Sequence, residues 1–250
     1  MFIHVVEPGE SVYTIARKYQ VPMSLVIAAN GLEPPDRLVA GQALVIRIPE
    51  ETYTVRPGET LEQIAARSGL SSRQLLRRNP ALAGENPIFP GQTLVLSYQE
   101  EEKLGPLLVN GYAYPYVDKE LLRATLPYLS ALTPFTYGFT PQGELVPLED
   151  EALLPMAAEG GAAGLMHLST LTEEGGFSNE LGHIALTDSQ VQDTLVRNLL
   201  RTLLQKGYQG LDVDFEYIPA QDAAAYAAFI RRLSRRLNPL GRPVIVALAP

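Results

Sequence analysis

The chain has 250 residues, enough for one large domain or for a medium domain with small modules attached, and its apolar content of 46% is that of a globular protein. No apolar run approaches the roughly 20 residues of a bilayer span, and a formal charge of −8 without a basic run argues against a nucleic-acid partner. Cysteine is absent, which excludes disulfides and thiolate metal sites and leaves the redox compartment unreadable.

The first residues, MFIHVVEPGES, have too short an apolar run and no small-residue cleavage site for a secretory signal. They open a repeat instead. HVVEPGESVYTIARKYQVPMSLVIAAN, residues 4–30, lies without a gap over YTVRPGETLEQIAARSGLSSRQLLRRN, residues 53–79. Val6, Pro8, Gly9, Glu10, Ile15, Ala16 and Asn30 recur as Val55, Pro57, Gly58, Glu59, Ile64, Ala65 and Asn79, and after one inserted residue AGQALVIRIP aligns with PGQTLVLSYQ.

Each copy predicts a short strand (Ile3 to Glu7, Tyr53 to Arg56), a Pro-Gly turn, and a helix capped by Ser11 or Thr60, with Gln63 completing a capping box in the second copy. A second helix starts with Pro22 at its first position, or with Ser71 and Gln74, and stops near Asn30 or Asn79. A strand after Gly41 or Gly91 closes a β-α-α-β unit with Val6, Ile15, Val26, Leu44 and Ile46 as its core.

These features together resemble the LysM domain, placing one module at residues 2–49 and another at 52–98. The resemblance implies binding of N-acetylglucosamine-containing glycan, peptidoglycan or chitin, between the loop after the first strand and the loop before the last. Those loops hold Gly9, Glu10, Ser11, Asn30 and Gly31 in one copy and Gly58, Glu59, Thr60, Asn79 and Pro80 in the other. The same residue types also serve as plain turn and capping residues, and the family's glycan contacts run largely through the backbone.

Residues 99–106 read as a polar, acidic linker ending in Gly-Pro. From 107 to 250, five apolar strands, PLLVNGYAY, LTPFTYGFT, AGLMHLST, GLDVDFEY and PVIVALAP, alternate with helical stretches. Ser189 to Lys206 stripes Val191, Leu195, Leu199 and Leu203, and Asp222 to Leu237 stripes Tyr226, Phe229, Ile230 and Leu233. Strand alternating with helix predicts an α/β unit with a parallel sheet.

In the fourth strand Asp212, Asp214 and Glu216 alternate with Leu211, Val213 and Phe215. Alternate strand residues share a face about 6.6 Å apart, and a parallel strand is covered on both faces, so three like charges in a row are expected to be buried there. That is costly unless protons are shared or a ligand is served. His167 and His183 lie away from the trio in sequence and show no ligand spacing, so no metal and no cofactor are expected.

QGLDVDFE is similar to the D-G-x-D-x-D-x-E signature of glycoside hydrolase family 18, with Gln209 in place of the first Asp. The resemblance implies a TIM-type (β/α)8 barrel with its chemistry at the C-terminal strand ends, of which about the first five strands are present. It makes Glu216 the general acid and then base, Asp214 the holder of the substrate's 2-acetamido N–H, and Asp212 its proton-sharing neighbour. The acetamido oxygen of the substrate serves as nucleophile, and clustered carboxylates raise one another's pKa so that one holds a proton while its neighbour is charged. Tyr112, Tyr114, Phe135 and Tyr137, at the ends of the first two strands, are candidates for the sugar walls, or else core aromatics.

LTEEGGFSNELGHI, residues 171–184, resembles a loop of the branch of spore cortex-lytic N-acetylglucosaminidases, which join two LysM repeats to this barrel. The implied partner is peptidoglycan, with no nucleic acid and no membrane, and the implied location is the spore coat or cortex, or the cell wall. A chitinase or a non-catalytic wall-binding protein would share the repeats. A complete barrel takes about 250 residues, whereas roughly 145 follow the linker. The chain is therefore expected to be part of an enzyme of about 420 to 430 residues, and by itself to bind glycan but hydrolyse little.

Overall fold

The computed structural model describes residues 1–32, 38–82, 87–99, 105–216 and 218–248. Residues 100–104, the greater part of the expected linker, lie outside the described residues. The chain forms two compact units, Met1–Leu107 with Asp118–Tyr128, and Leu108–Val117 with Leu129–Pro250.

In the first unit, β1 (Phe2–Val5), α1 (Val12–Lys18), α2 (Met23–Asn30) and β2 (Ala43–Ile46) make up one repeat, and β1 pairs antiparallel with β2. The second repeat runs β3 (Pro49–Thr54), α3 (Leu61–Arg67), α4 (Ser72–Arg78) and β4 (Thr93–Tyr98), again with antiparallel pairing of its strands. Capping sets where the helices begin. Thr60 with Gln63 and Ser71 with Gln74 form capping boxes, and so does Ser11 with Thr14, whose shorter hydroxyl takes the part that glutamine plays in the second repeat. Pro22 stands one place earlier than its sequence position suggests, capping a helix that begins at Met23.

Each repeat has its own core. Val6, Ile15, Val26, Leu44 and Ile46 are buried together in the first, as are Val55, Ile64, Leu75 and Leu94 in the second. A further helix, α5 (Lys119–Thr125), capped by Asp118, joins this unit. There the Pro127 carbonyl accepts from Nε of both Arg73 and Arg77 of α4.

The second unit holds β5 (Asn110–Ala113), β6 (Ala131–Pro134), the hairpin of β7 (Gly138–Phe139) and β8 (Leu145–Val146), α6 (Leu153–Glu159) and β9 (Ala163–Ser169). It continues through α7 (Asn179–Thr187), α8 (Ser189–Lys206), β10 (Gly210–Asp214), α9 (Ala223–Leu237) and β11 (Val244–Val246). Among the described residues β5, β6, β9, β10 and β11 form one parallel sheet in chain order.

Alternation divides the faces of β9 and β10. Met166 and Leu168, with Leu211 and Val213, pack against Leu195, Leu199 and Leu203 of α8 and Phe229 and Leu233 of α9, all buried. Burial of such side chains stabilises by about 1.5–3 kcal/mol each, so this layer fixes which residues are left for the opposite face. Those are His167 and Ser169 on β9, in register with Asp212 and Asp214 on β10.

Candidate active site

The carboxylates are graded in depth rather than buried in a row. β10 ends at Asp214, so Asp212 is buried, Asp214 is half-buried, and Glu216 stands exposed on the turn that follows. The expectation of three buried charges fails because the strand is one step too short to carry Glu216 under its neighbours.

Tyr112 Oη on β5 donates to Asp212 Oδ2 at 2.6 Å. Three strand spacings, about 14 Å along a flat sheet, separate β5 from β10, more than these two side chains span, so the sheet curls and its concave face carries the site. Burial raises the Asp212 pKa against the opposing hydrogen bond from Tyr112. Asp214 is raised by burial first, then by the charges of Glu216 and Asp212.

His167, fully buried between the strands, was not singled out in the sequence as part of this group, yet its Nε2 lies 3.5 Å from Asp214 Oδ2. Burial pushes its pKa down to about 4, so near neutrality the ring is uncharged and the contact is no ion pair. Its Nδ1 is 2.5 Å from Thr136 Oγ1, which in turn donates to Ser169 Oγ at 3.0 Å. With the threonine proton directed at Ser169, Nδ1–H can donate to Thr136, the tautomer that turns a lone pair of Nε2 toward Asp214 and would favour a proton on that carboxyl.

His167 Nε2, Asp212 Oδ1 and Asp214 Oδ1 are buried without a hydrogen-bond partner among the described residues. Orphaned groups of this kind cost about 1–3 kcal/mol each and call for an explanation. Among the described residues no group of three or more His, Asp or Glu side chains could hold a metal ion.

Two hollows open over these groups. One, of about 350 Å³, is lined by Tyr112, Tyr114, Phe135, Asp214, Glu216 and Ala247 among others. Its neighbour, of about 320 Å³, is lined by Phe135, Thr170, Phe177, Asn179, Asp214 and Glu216. Phe135 lies over the His167 ring at 4.9 Å and meets Tyr112, Tyr114 and Phe177 edge-on. Tyr114 also stacks on Tyr116, ring centroids 5.1 Å apart. An aromatic wall facing carboxylates suits a sugar, whose C–H faces are apolar and whose hydroxyls and amide are polar.

Tyr137 is a correction. It is 2% exposed, donates to Asp150 Oδ2 at 2.6 Å and packs edge-on against Tyr208, in the core. Residues 135 and 137 would share a face on a continuous strand, but β6 ends at Pro134, and the chain beyond it no longer alternates regularly.

In the repeats most side chains named for glycan binding are engaged internally. Asn30 bonds Val26 O, Val45 O and Val45 N–H, and Asn79 bonds Leu75 O, Val95 O and Val95 N–H, each tying the end of the second helix to the last strand. Glu10 accepts from the Glu7 N–H and contacts His4, whereas Glu59 accepts from the Arg56 N–H, Tyr53 and Arg67. Ser11 and Thr60 are caps. These side chains are scaffold, because a small module has few other ways to close its loops. What remains toward solvent is the backbone around Gly9 and Gly58, at φ 85° and 81° with open space where a Cβ would stand, and around Gly31 and Pro80.

The LysM domain model matches residues 4–47 and 53–97, so the two repeats are LysM domains. Over 99% of its length the chain is 32% identical to the sporulation-specific glycosylase YdhD of Bacillus subtilis and 28% identical to the cortical fragment-lytic enzyme of Bacillus anthracis, covering 58% of each. Its structure matches the spore cortex-lytic enzyme SleL of Bacillus megaterium with a TM-score of 0.71 and 30% identity, over 99% of this chain and 58% of that one. A chitinase of Chromobacterium violaceum, 23% identical with a TM-score of 0.51, shares the fold over 56% of the chain and 44% of its own. The chain thus spans little more than half the length of the Bacillus relatives it matches.

Proposed function

We propose that the protein to which this chain belongs is a glycoside hydrolase of the family 18 type that cuts peptidoglycan of the spore cortex or wall after N-acetylglucosamine, held to it by its LysM domains. The graded carboxylates carry this reading. Glu216, open to both hollows, protonates the leaving glycosidic oxygen and then activates water. Asp214, raised by burial and by its neighbours and facing the His167 lone pair, orients the substrate's acetamido N–H. The acetamido oxygen attacks the anomeric carbon, so no covalent bond to the protein forms. Asp212, anchored by Tyr112, takes up or releases charge as Asp214 changes state. Phe135 and Tyr112 support the sugar from the β5 and β6 side.

Similarity to cortex-lytic enzymes and to YdhD supports the choice of wall glycan, and the LysM domains support delivery to it. The test is mass spectrometry of fragments that the full-length gene product releases from cortex peptidoglycan and from chitin. New reducing ends at N-acetylglucosamine in the peptidoglycan digest are the expected result. Cleavage of chitin alone would move the assignment to a chitinase, and no release from either would remove the enzyme reading.

A further inference from the structure

The first unit contains another hollow, of about 340 Å³, whose walls include Ala28 and Ala29 of α2, Arg47 after β2, Arg77 of α4, Pro80 and Tyr128. It draws on both repeats and on the segment after α5. The guanidinium of Arg47 lies over the Tyr98 ring, 3.7 Å from its centroid, and Arg77 is fixed from the other side through Nε to the Pro127 carbonyl. Both arginines are half-buried, and among the described residues neither has a carboxylate partner.

That is unusual in a chain with 28 acidic residues against 20 basic ones. Cations brought together in a partly dehydrated hollow repel one another, a cost that the Tyr98 ring and the Pro127 carbonyl offset in part and that an anion between them would offset further. The neighbouring Arg73 feels it, its pKa lowered by burial and then by the charge of Arg77. The planar fork of a guanidinium fits a carboxylate through two parallel hydrogen bonds.

We propose that this hollow binds a carboxylate carried on a saccharide, with Arg47 and Arg77 as the clamp, Tyr128 as a ring platform and hydroxyl, and Ala28, Ala29 and Pro80 against the apolar sugar face. The anion site stands on its own geometry; the choice of a sugar acid rests on the wall-glycan reading above. Wall glycan offers carboxylates in two places, the lactyl ether of N-acetylmuramic acid and the attached peptide, whereas chitin offers none. The site would therefore let the LysM unit distinguish acidic from neutral glycan, which the backbone-lined turns at Gly9 and Gly58 have no charge to do.

The experiment is an NMR titration of the isotope-labelled 250-residue chain with three probes. They are the N-acetylglucosamine–N-acetylmuramic acid disaccharide, the same disaccharide with its carboxyl reduced to an alcohol, and the disaccharide carrying L-alanyl-D-glutamate. The acid is expected to shift amides around Arg47 and Arg77 and to bind about tenfold more tightly than the alcohol, as a charge-assisted pair allows. Arg47→Gln and Arg77→Gln should each abolish that difference while leaving affinity for the alcohol unchanged. Arg47→Gln leaves the Pro127 contact in place and so keeps the test valid if Arg77→Gln loosens α4. Tighter binding of the peptide form would put the carboxylate on the peptide, weaker binding would put it on the lactyl group, and both support the site. Equal affinity for all three probes, or a preference that survives both substitutions, overturns the anion site and leaves the glycan reading standing. Absence of binding by all three overturns both.

Discussion

Asn79 in the second LysM domain and Asp212 on β10 are both buried polar side chains, 5% and 1% exposed, and their surroundings treat them in opposite ways. Asn79 has three backbone partners, and among the described residues no buried side-chain polar atom of the LysM domains lacks one. Asp212 keeps one oxygen unpaired, beside equally unpaired atoms of Asp214 and His167. Both stretches are recognisable motifs. The difference teaches that the motif in the repeats records how a small module closes, whereas the motif on β10 leaves polar atoms unpaired at a cost to stability, as the chemistry proposed for it would require.

The largest effect that could break this contrast is on turnover. Glu216→Gln should lower hydrolysis by the full-length protein at least about a hundredfold, the range of a general acid and base. Because Glu216 is exposed, its unfolding free energy should move by no more than about 0.5 kcal/mol. Hydrolysis close to that of the unaltered protein would remove Glu216 from its role.

Next in size is Asn79→Ala, which orphans the Val95 N–H and two carbonyls. It should cost the second repeat about 3 kcal/mol, read from amide exchange at Ile64. Asn30→Ala, at a more exposed site, should cost the first repeat less. Equal and negligible losses would mean that these asparagines are not structural.

A finer comparison separates two tyrosines. Tyr112→Phe removes the hydroxyl on Asp212 and should reduce turnover by about tenfold, the worth of one hydrogen bond to a charged group. Tyr137→Phe removes the hydroxyl on Asp150 and should reduce stability without touching turnover. The reverse pattern would restore Tyr137 to the site.

Acidity gives the smallest and most diagnostic contrast. Hydrogen bonds from the Arg56 N–H and from Arg67 lower Glu59 from 4.5 to about 2. Its contribution is therefore complete above the unfolded value of 4.5 and is lost as the pH falls toward 2. Asp214 has the opposite sign: raised above 3.8 on folding, it favours the native state below that value, and the benefit is lost as the pH rises through its folded pKa. Glu59→Gln should flatten the acid limb of the repeats, followed at Ile64, and Asp214→Asn the fall in stability of the sheet as the pH rises above 3.8, followed at Val213. Unchanged limbs in the two variants would show that neither carboxyl governs its unit.

Much of this was legible in the sequence because it depends on local or periodic rules. The capped helices of the repeats follow from Ser11, Thr60 and Ser71, the α8 stripe from Leu195, Leu199 and Leu203, and the five-stranded parallel order from the alternation of strand and helix. What escaped depends on register and on where strands stop. His167 meets Asp214 because β9 and β10 align His167 with Asp212, a relation between residues 45 positions apart that no local spacing encodes. Tyr137 was misplaced because alternation was carried past Pro134, and Glu216 because it was carried past Asp214.

The contrast is tested most directly by the stability of the sheet unit in Asp214→Asn, measured at pH 7 from exchange protection of the Val213 amide. A neutral amide there cannot acquire the charge that burial and the neighbouring carboxylates oppose, and it can donate to the orphaned His167 Nε2. Protection should rise, by about tenfold for roughly 1.4 kcal/mol, while hydrolysis by the full-length protein falls. A loss of protection like that of Asn79→Ala would contradict the account, because it would make Asp214 part of the scaffold.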